Sequence, residues 1–398
     1  MTSPHLLLAY DFPPIGGGIS RWMGELALRY PERSLIVSTG TIEGSEEADR
    51  RLPVPVDRIG TVARRLRTIP GLIRWSLRVE KLTREHGVSF TWCGNLRPAA
   101  YPARWLRGRR GVPYGVILHG GDLLIVGEQA RRSARKRTAA RRLLGDAGIL
   151  VTNSAFTREV TLRTLEQLEL PVDPARVVVV PLGTDPTRFH PDVDAGIARD
   201  RFKLPAGRWL LTVARLTPHK GIDTALQAFA KLAPRHPDLR YAIAGSGSDR
   251  ERLVALAESL GVTDRVHFLG SVSDAELPSL YRGADVYLGL SRRLGIDVEG
   301  FGISMVEASG CGVPVVGGKS GGVPDAVRDG ETGILVDPES VDAAAEATGR
   351  LLDDAALARR LGEAGRAAVV SYYNWDRVAR DLRRLGDDVS AGRPPSAH

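Results

Sequence analysis

Short apolar runs that alternate with amphipathic helical stretches, break once, and then begin again constrain this chain more than any other feature. Leu6 to Tyr10 reads as a strand, followed by a turn at Gly16-Gly17-Gly18 and a helix from about Ile19 to Arg29. Ser34 to Thr39, Val116 to Leu118 and Ile149 to Thr152 are further strand-like runs with helical segments between them. Such alternation predicts βαβ units and a parallel sheet. Pro181 to Pro205 then interrupts the pattern with proline, glycine and aspartate, and reads as a linker. Beyond it, Trp209 to Ala214, Tyr241 to Ala244, Val266 to Leu269, Val286 to Leu290, Val313 to Val316 and Ile334 to Val336 form a second strand series, with a helix near Asp223 to Leu232. The expected fold is α/β: two Rossmann-like doubly wound parallel-sheet domains facing a central cleft, where a ligand site belongs. The expected boundaries are 1–185, a linker at 186–204, 205–374, and a final helix from residue 375 to about Leu385 with a disordered tail to His398.

At 398 residues the chain exceeds one ordinary core. Hydrophobic residues make up 43% and charged residues 26%, a globular balance. No apolar run approaches the roughly 20 residues of a membrane span, and Asp11-Phe12-Pro13-Pro14 interrupts the first one too early for a signal peptide. Cys93 and Cys311 are isolated, which disfavours a disulfide framework or thiolate metal site and fits a reducing cytoplasm. The net charge of +8 is uneven: residues 1–198 hold 29 Lys and Arg against 20 Asp and Glu.

The residues that carry chemistry sit at strand ends. Glu299 and Glu307 lie eight apart in Glu299-Gly300-Phe301-Gly302-Ile303-Ser304-Met305-Val306-Glu307, the first in a Gly-rich loop and the second one or two turns inside the helix that the loop opens. A helix N-terminus favours an anion and a carboxylate accepts hydroxyl donors, so the pair suits a sugar nucleotide. A partly exposed helix glutamate is the structural alternative. Arg215 and Lys220, in Ala214-Arg215-Leu216-Thr217-Pro218-His219-Lys220-Gly221, follow the first strand of the second series. A guanidinium fork beside a compact ammonium suits a diphosphate, although both could be solvated surface cations. Gly245-Ser246-Gly247 could let backbone approach a ligand or could simply make a tight turn. Gly16, Gly17 and Gly18 make a phosphate- or acceptor-facing loop without a GxGxxG fingerprint, which disfavours NAD. His119, before Gly120-Gly121, could point a donor into the cleft. Asp192-Val193-Asp194 mimics a metal motif but lies in the proline-rich stretch, so a surface loop is expected and no metal is implied.

Taken in order, Gly16-Gly17-Gly18, His119-Gly120, Val151-Thr152-Asn153-Ser154, Pro181-Leu182-Gly183-Thr184-Asp185, Ala214-Arg215 with Lys220-Gly221, Gly245-Ser246-Gly247, and Glu299-Gly300-Phe301-Gly302 with Glu307-Ala308 resemble the motifs of family 4 glycosyltransferases across nearly the whole chain. Asp297-Val298-Glu299-Gly300-Phe301-Gly302 and Ser320-Gly321-Gly322-Val323-Pro324-Asp325 are most similar to the phosphatidylinositol mannosyltransferase-like subgroup. The resemblance implies a GT-B fold, with donor held by the C-terminal domain and acceptor by the N-terminal one. It implies that Arg215 and Lys220 bind the diphosphate, Glu307 the ribose hydroxyls, and Glu299 the donor sugar, with the backbone of Phe301, Gly302 and Ile303 nearby. His119 would lie near the sugar C6 end, Gly16 to Gly18 near diphosphate and acceptor, and the base near Leu269 and Val272. The final helix after Trp375 would cross back onto the first domain.

The expected activity is a retaining hexosyl transfer, mannose first among sugars, from GDP-mannose or a UDP-sugar to a hydroxyl acceptor by front-face displacement, with no cofactor required. The acceptor is lipid-linked or a small glycoside; a UDP-sugar-dependent transferase acting on a soluble acceptor, and a sugar-nucleotide epimerase of the same fold, are the competing readings. Arg131-Arg132-Ser133-Ala134-Arg135-Lys136-Arg137 with Arg141-Arg142, and Arg64-Arg65-Leu66-Arg67 before Ile69 to Trp75, form basic clusters. These read either as a peripheral contact with an anionic membrane at the inner face of the cell or as solvated helix surface. No stacking aromatics interleave them, which disfavours nucleic acid. Oligomeric state is not legible.

Overall fold

The computed structural model describes residues 3–171 and 173–395, the side chains of 61–64 excepted; the last residues of the tail expected to be disordered, 396–398, lie outside the described residues. The chain divides into two compact units, Met1–Val180 with Trp375–His398, and Pro181–Asn374.

The first unit is built on seven parallel strands: β1 (His5–Leu8), β2 (Leu35–Thr41), β3 (Val56–Val62), β4 (Phe90–Cys93), β5 (Tyr114–Leu118), β6 (Ile149–Thr152) and β7 (Val177–Val179), in the order β3-β2-β1-β4-β5-β6-β7. β1, β4, β5 and β6 are buried at every position, so they read as continuous apolar runs rather than alternating ones. Three strands, β3, β4 and the three-residue β7, are not among those named from the sequence. β3 carries Asp57 and Arg58 at the sheet edge, where Arg58 is held by Asp49 at 2.7 Å, and β4 is only four residues long.

The helix Trp375–Ser390 packs on this unit and runs past the expected end near Leu385. Its buried face, Trp375, Val378, Ala379, Leu382, Leu385 and Gly386, follows helical periodicity. Its register is set by close approach, because a Cβ on Gly386 would lie 2.5 Å from the His5 ring. Arg383 also donates to the Ser34 hydroxyl at 2.9 Å, and Asp387 accepts from His5 at 3.2 Å.

The second unit carries six parallel strands: β8 (Arg208–Val213), β9 (Leu239–Ala244), β10 (Val266–Gly270), β11 (Val286–Gly289), β12 (Val315–Gly318) and β13 (Ile334–Val336), ordered β10-β9-β8-β11-β12-β13. Counted from its own first strand, that is the 3-2-1-4-5-6 order of a Rossmann sheet, whose switch point lies between β8 and β11. The helix Ile222–Leu232 shows why the pattern holds: Ile222, Ala225, Leu226, Phe229 and Leu232 are buried at i, i+3, i+4, i+7 and i+10. Each large side chain there contributes about 1.5–3 kcal/mol by leaving water.

The stretch expected as a linker is folded into the second unit. It carries the helix Gly196–Phe202, whose Ala198 N–H donates to Ser279 Oγ at 2.9 Å, while Ser279 Oγ donates to the Asp194 carbonyl at 2.6 Å. Its prolines remove backbone donors, yet its carbonyls are taken: Arg366 donates to those of Pro186 and Phe189 at 3.0 and 2.7 Å. Proline content therefore marked irregular chain here rather than a free connection.

Candidate active site

The loops after β8 and β11 bring together residues that are 79 apart in sequence. Lys220 closes the short turn Pro218–Lys220, and its Nζ lies 2.6 Å from Glu299 Oε2. Both side chains are half-buried, 15% and 21% exposed. Burial by itself would raise the Glu299 carboxyl pKa. The charge and hydrogen bond of Lys220, the charge of His219 and the Phe301 backbone N–H outweigh it and hold the pKa below the ordinary carboxylate value. Ser291 Oγ stands 3.5 Å from the same carboxylate oxygen.

The loop conformations follow from glycines. Gly221 has φ +65°, and a Cβ there would lie 1.9 Å from the Leu290 carbonyl, so the β8 loop can touch the β11 loop only through glycine. A Cβ on Gly321, at φ +56°, would lie 2.4 Å from the Glu299 carbonyl, and the Gly322 N–H donates to that carbonyl at 2.9 Å. The Ser320-Gly321-Gly322 turn thus supports the backbone of Glu299.

Gly302, at φ +105°, opens the helix Ile303–Gly310 with no side chain capping it. Uncapped first-turn N–H groups next to a Gly-rich loop are suited to an anion. Ile303 is half-buried at this end, whereas the Phe301 ring is buried against Tyr373 with centroids 6.2 Å apart. Glu307 is the fifth residue of the helix, little more than one turn in and 2% exposed. Its carboxylate accepts from the Tyr281 hydroxyl at 2.8 Å, a protein partner that the sequence did not reveal.

Arg215 is exposed and makes no ion pair among the described residues. Gly245 answers to packing: a Cβ on it would sit 1.9 Å from the Ala214 carbonyl, and one on Gly247 2.2 Å from that of Leu216. These glycines therefore seat the β9 loop against the β8 loop. Leu269 and Val272 are half-buried at the end of β10. Asp194 Oδ1 accepts from the Gly196 N–H at 2.8 Å, and the described residues contain no His, Cys, Asp and Glu group able to hold a metal ion.

In the first unit, Gly16 to Gly18 are exposed before the helix Gly18–Arg29, with open space where side chains would be. His119 follows β5. Its Nε2 lies 2.7 Å from the Gly94 carbonyl, and its ring meets Trp22 edge-on at 5.0 Å. A carbonyl only accepts, so Nε2 carries a proton and donates it to Gly94, which leaves Nδ1 as the ring nitrogen outside that contact. One of the two ring nitrogens is thus engaged by the protein.

Both sheets are parallel and doubly wound, the second in Rossmann order with Lys220 and Glu299 paired at its switch point, and two such Rossmann-like units are the make-up of the GT-B class. Residues 198–368 match the family described as glycosyl transferases group 1, and residues 16–188 match glycosyltransferase family 4. The chain is 34% identical over 93% of its length, and 94% of the relative's, to a GDP-mannose-dependent alpha-(1-6)-phosphatidylinositol monomannoside mannosyltransferase of Mycolicibacterium smegmatis. It is 34% identical to a D-inositol 3-phosphate glycosyltransferase of Salinispora tropica, over 70% of this chain and 60% of that protein. The crystal structure of Anabaena HepE in complex with UDP and glucose superposes with a TM-score of 0.74 at 19% identity, covering 96% of this chain and 98% of that one. The chain belongs to the group 1 and family 4 glycosyltransferases.

Proposed function

We propose that the enzyme is a retaining mannosyltransferase that moves mannose from GDP-mannose to a hydroxyl of a phosphatidylinositol-type lipid. The observation that carries this reading is the Lys220–Glu299 pair at the β8/β11 switch point, with Arg215 exposed on the same loop as Lys220. The second unit, residues 205–374 above all, would hold the donor: Arg215 and Lys220 at the diphosphate, Glu299 at the sugar, Glu307 at the ribose hydroxyls, and Leu269 and Val272 near the base. The first-turn N–H groups after Gly302 would meet the diphosphate. The first unit would hold the acceptor, with Gly16 to Gly18 leaving backbone access and His119 Nδ1 meeting a sugar hydroxyl.

The sugar C1–O bond to the departing diphosphate breaks while the acceptor oxygen bonds C1 from the same face, and the acceptor proton passes to a diphosphate oxygen. Arg215 and Lys220 stabilise the charge that grows on the leaving group. No step requires a metal. The name of the mycolicibacterial relative supports mannose, GDP and the lipid acceptor.

One surface supports the lipid. On the helix Ile69–His86, Ile69, Ile73 and Leu77 are 75%, 56% and 58% exposed at i, i+4 and i+8, with exposed Arg65 and Arg67 just upstream. An apolar stripe beside cations suits an anionic bilayer at the inner face of the membrane. Arg64, read with the same cluster, lies outside the described side chains. The basic run Arg131 to Arg142 is in part neutralised by Glu128 and Glu169. Among the described residues no helix is long and apolar enough to cross a membrane.

The test offers GDP-mannose and UDP-glucose with phosphatidylinositol vesicles or with inositol 3-phosphate, and reads the anomeric configuration of the product by NMR. Transfer from GDP-mannose to lipid with an α-product is expected. An inverted product, or no transfer from either donor, would refute the reading, and transfer to inositol 3-phosphate alone would replace the lipid acceptor with the one named for the Salinispora relative.

A further inference from the structure

Asp223 and Arg292 form a second junction between the two loops that carry Lys220 and Glu299. Asp223 lies in the first turn of Ile222–Leu232, three residues after Lys220, and Arg292 lies in the β11 loop, seven before Glu299. The contact is a two-point fork: Arg292 Nη1 lies 2.8 Å from Asp223 Oδ1, and Nη2 2.8 Å from Oδ2. Each side chain is 15% exposed. Arg292 Nη1 also donates to Thr224 Oγ1 at 3.1 Å, its backbone N–H donates to the His219 carbonyl at 2.8 Å, and Arg252 reaches Asp223 Oδ2 at 3.3 Å while gripping Asp249 with two bonds of 2.7 Å.

We propose that Asp223 and Arg292 are positioning residues that fix the spacing between Lys220 and Glu299, and through it the diphosphate and sugar contacts of the donor. The proposal rests on the donor site assigned above. A planar guanidinium held at both oxygens restrains rotation as well as distance, which a single charge contact does not. Both anchors lie just outside the functional residues. A slip of the β11 loop past the β8 loop would therefore move the Glu299 carboxylate away from Lys220, and misplacement by about 1 Å can cost about 100-fold in rate.

The experiment compares wild type, Arg292→Met, Arg292→Lys, Asp223→Asn, Lys220→Met and the double variant Arg292→Met with Lys220→Met. GDP and UDP affinities are measured by calorimetry, and turnover is measured at saturating GDP-mannose with phosphatidylinositol vesicles, normalised to folded chain. Arg292→Met and Asp223→Asn should bind the preferred nucleotide about tenfold more weakly and turn over at least tenfold more slowly. Arg292→Lys, which keeps the charge without the fork, should fall between them and wild type and serves where the harsher variants fold poorly. In the Lys220→Met background, Arg292→Met should add no further loss, because the clamp acts through Lys220. Wild-type affinity and turnover in folded Arg292→Met and Arg292→Lys, or losses that multiply with those of Lys220→Met, would overturn the proposal. Normal turnover in Lys220→Met would instead overturn the donor-site assignment itself.

Discussion

Replacing Lys220 by methionine separates a structural ion pair from a working one. The substitution keeps the apolar stem and deletes the ammonium that stands 2.6 Å from Glu299. Both partners keep some solvent contact, at 15% and 21% exposure. The pair therefore falls between exposed bridges, worth about 0.2–1 kcal/mol, and fully buried ones, whose breaking costs about 3–5 kcal/mol. A loss of about 1–2 kcal/mol should lower the melting temperature of the second unit by about 2–8 °C. Turnover should fall much further. One donor to the charge developing on the leaving diphosphate is worth about 2.7–4 kcal/mol, or about 100- to 1000-fold in kcat. Glu299 should report the same change. Without the ammonium its main stabilising charge is gone and burial pushes the carboxyl upward, so the acid limb of the pH–rate profile should move to higher pH. Scanning calorimetry and steady-state turnover between pH 4 and 8 read both effects. A variant that loses several degrees of melting temperature yet keeps turnover within about threefold would refute the charge-stabilising role.

Three further outcomes follow from the geometry. Tyr281→Phe removes the 2.8 Å hydrogen bond to the buried Glu307 carboxylate, so it should destabilise the second unit by about 1.5–3 kcal/mol in denaturant unfolding and weaken nucleotide affinity; unchanged affinity would detach Glu307 from the donor site. Gly245→Ala places a methyl 1.9 Å from the Ala214 carbonyl at φ +135°, which should cost at least 1–3 kcal/mol, and a variant as stable as wild type would show that the β9 loop yields freely. His5 is buried with Nδ1 at the Tyr30 hydroxyl and Nε2 at the Asp387 carboxylate, and burial, aided by the Arg383 charge, holds its pKa down at about 3. Because the unfolded chain takes up a proton near pH 6.5 and the folded one does not, the first unit should lose about 1.4 kcal/mol per pH unit as pH falls from 6.5 towards 3. Replacing His5 by glutamine should flatten that slope in pH-dependent urea melts, and an unchanged slope would assign the acid sensitivity elsewhere.

The local residue pattern was sufficient for much of this architecture. Strands such as Ile149–Thr152 and Ile334–Val336 are apolar runs bounded by turn residues, and period and punctuation are properties of neighbouring residues. Lys220, Glu299 and Glu307 stood out for the same reason, since each sits in a distinctive strand-end or helix-start segment. Edge strand Val56–Val62 did not, because its Arg58 is satisfied by Asp49 and the Gly40 carbonyl and its Asp57 by Arg78, partners that lie outside the strand's own residues.

Sequence by itself determined the two doubly wound units and the positions of the charged loops, because helix and strand periods, glycine freedom and strand-end location are written in short stretches of chain. Only the tertiary structure decided which charges meet. It placed Lys220 on Glu299, closed Arg292 on Asp223, gave Glu307 to Tyr281, and turned the proton of His119 toward Gly94. Each is a contact between elements from 25 to 79 residues apart, set by strand order and by glycines that let backbones approach, and no local pattern encodes it.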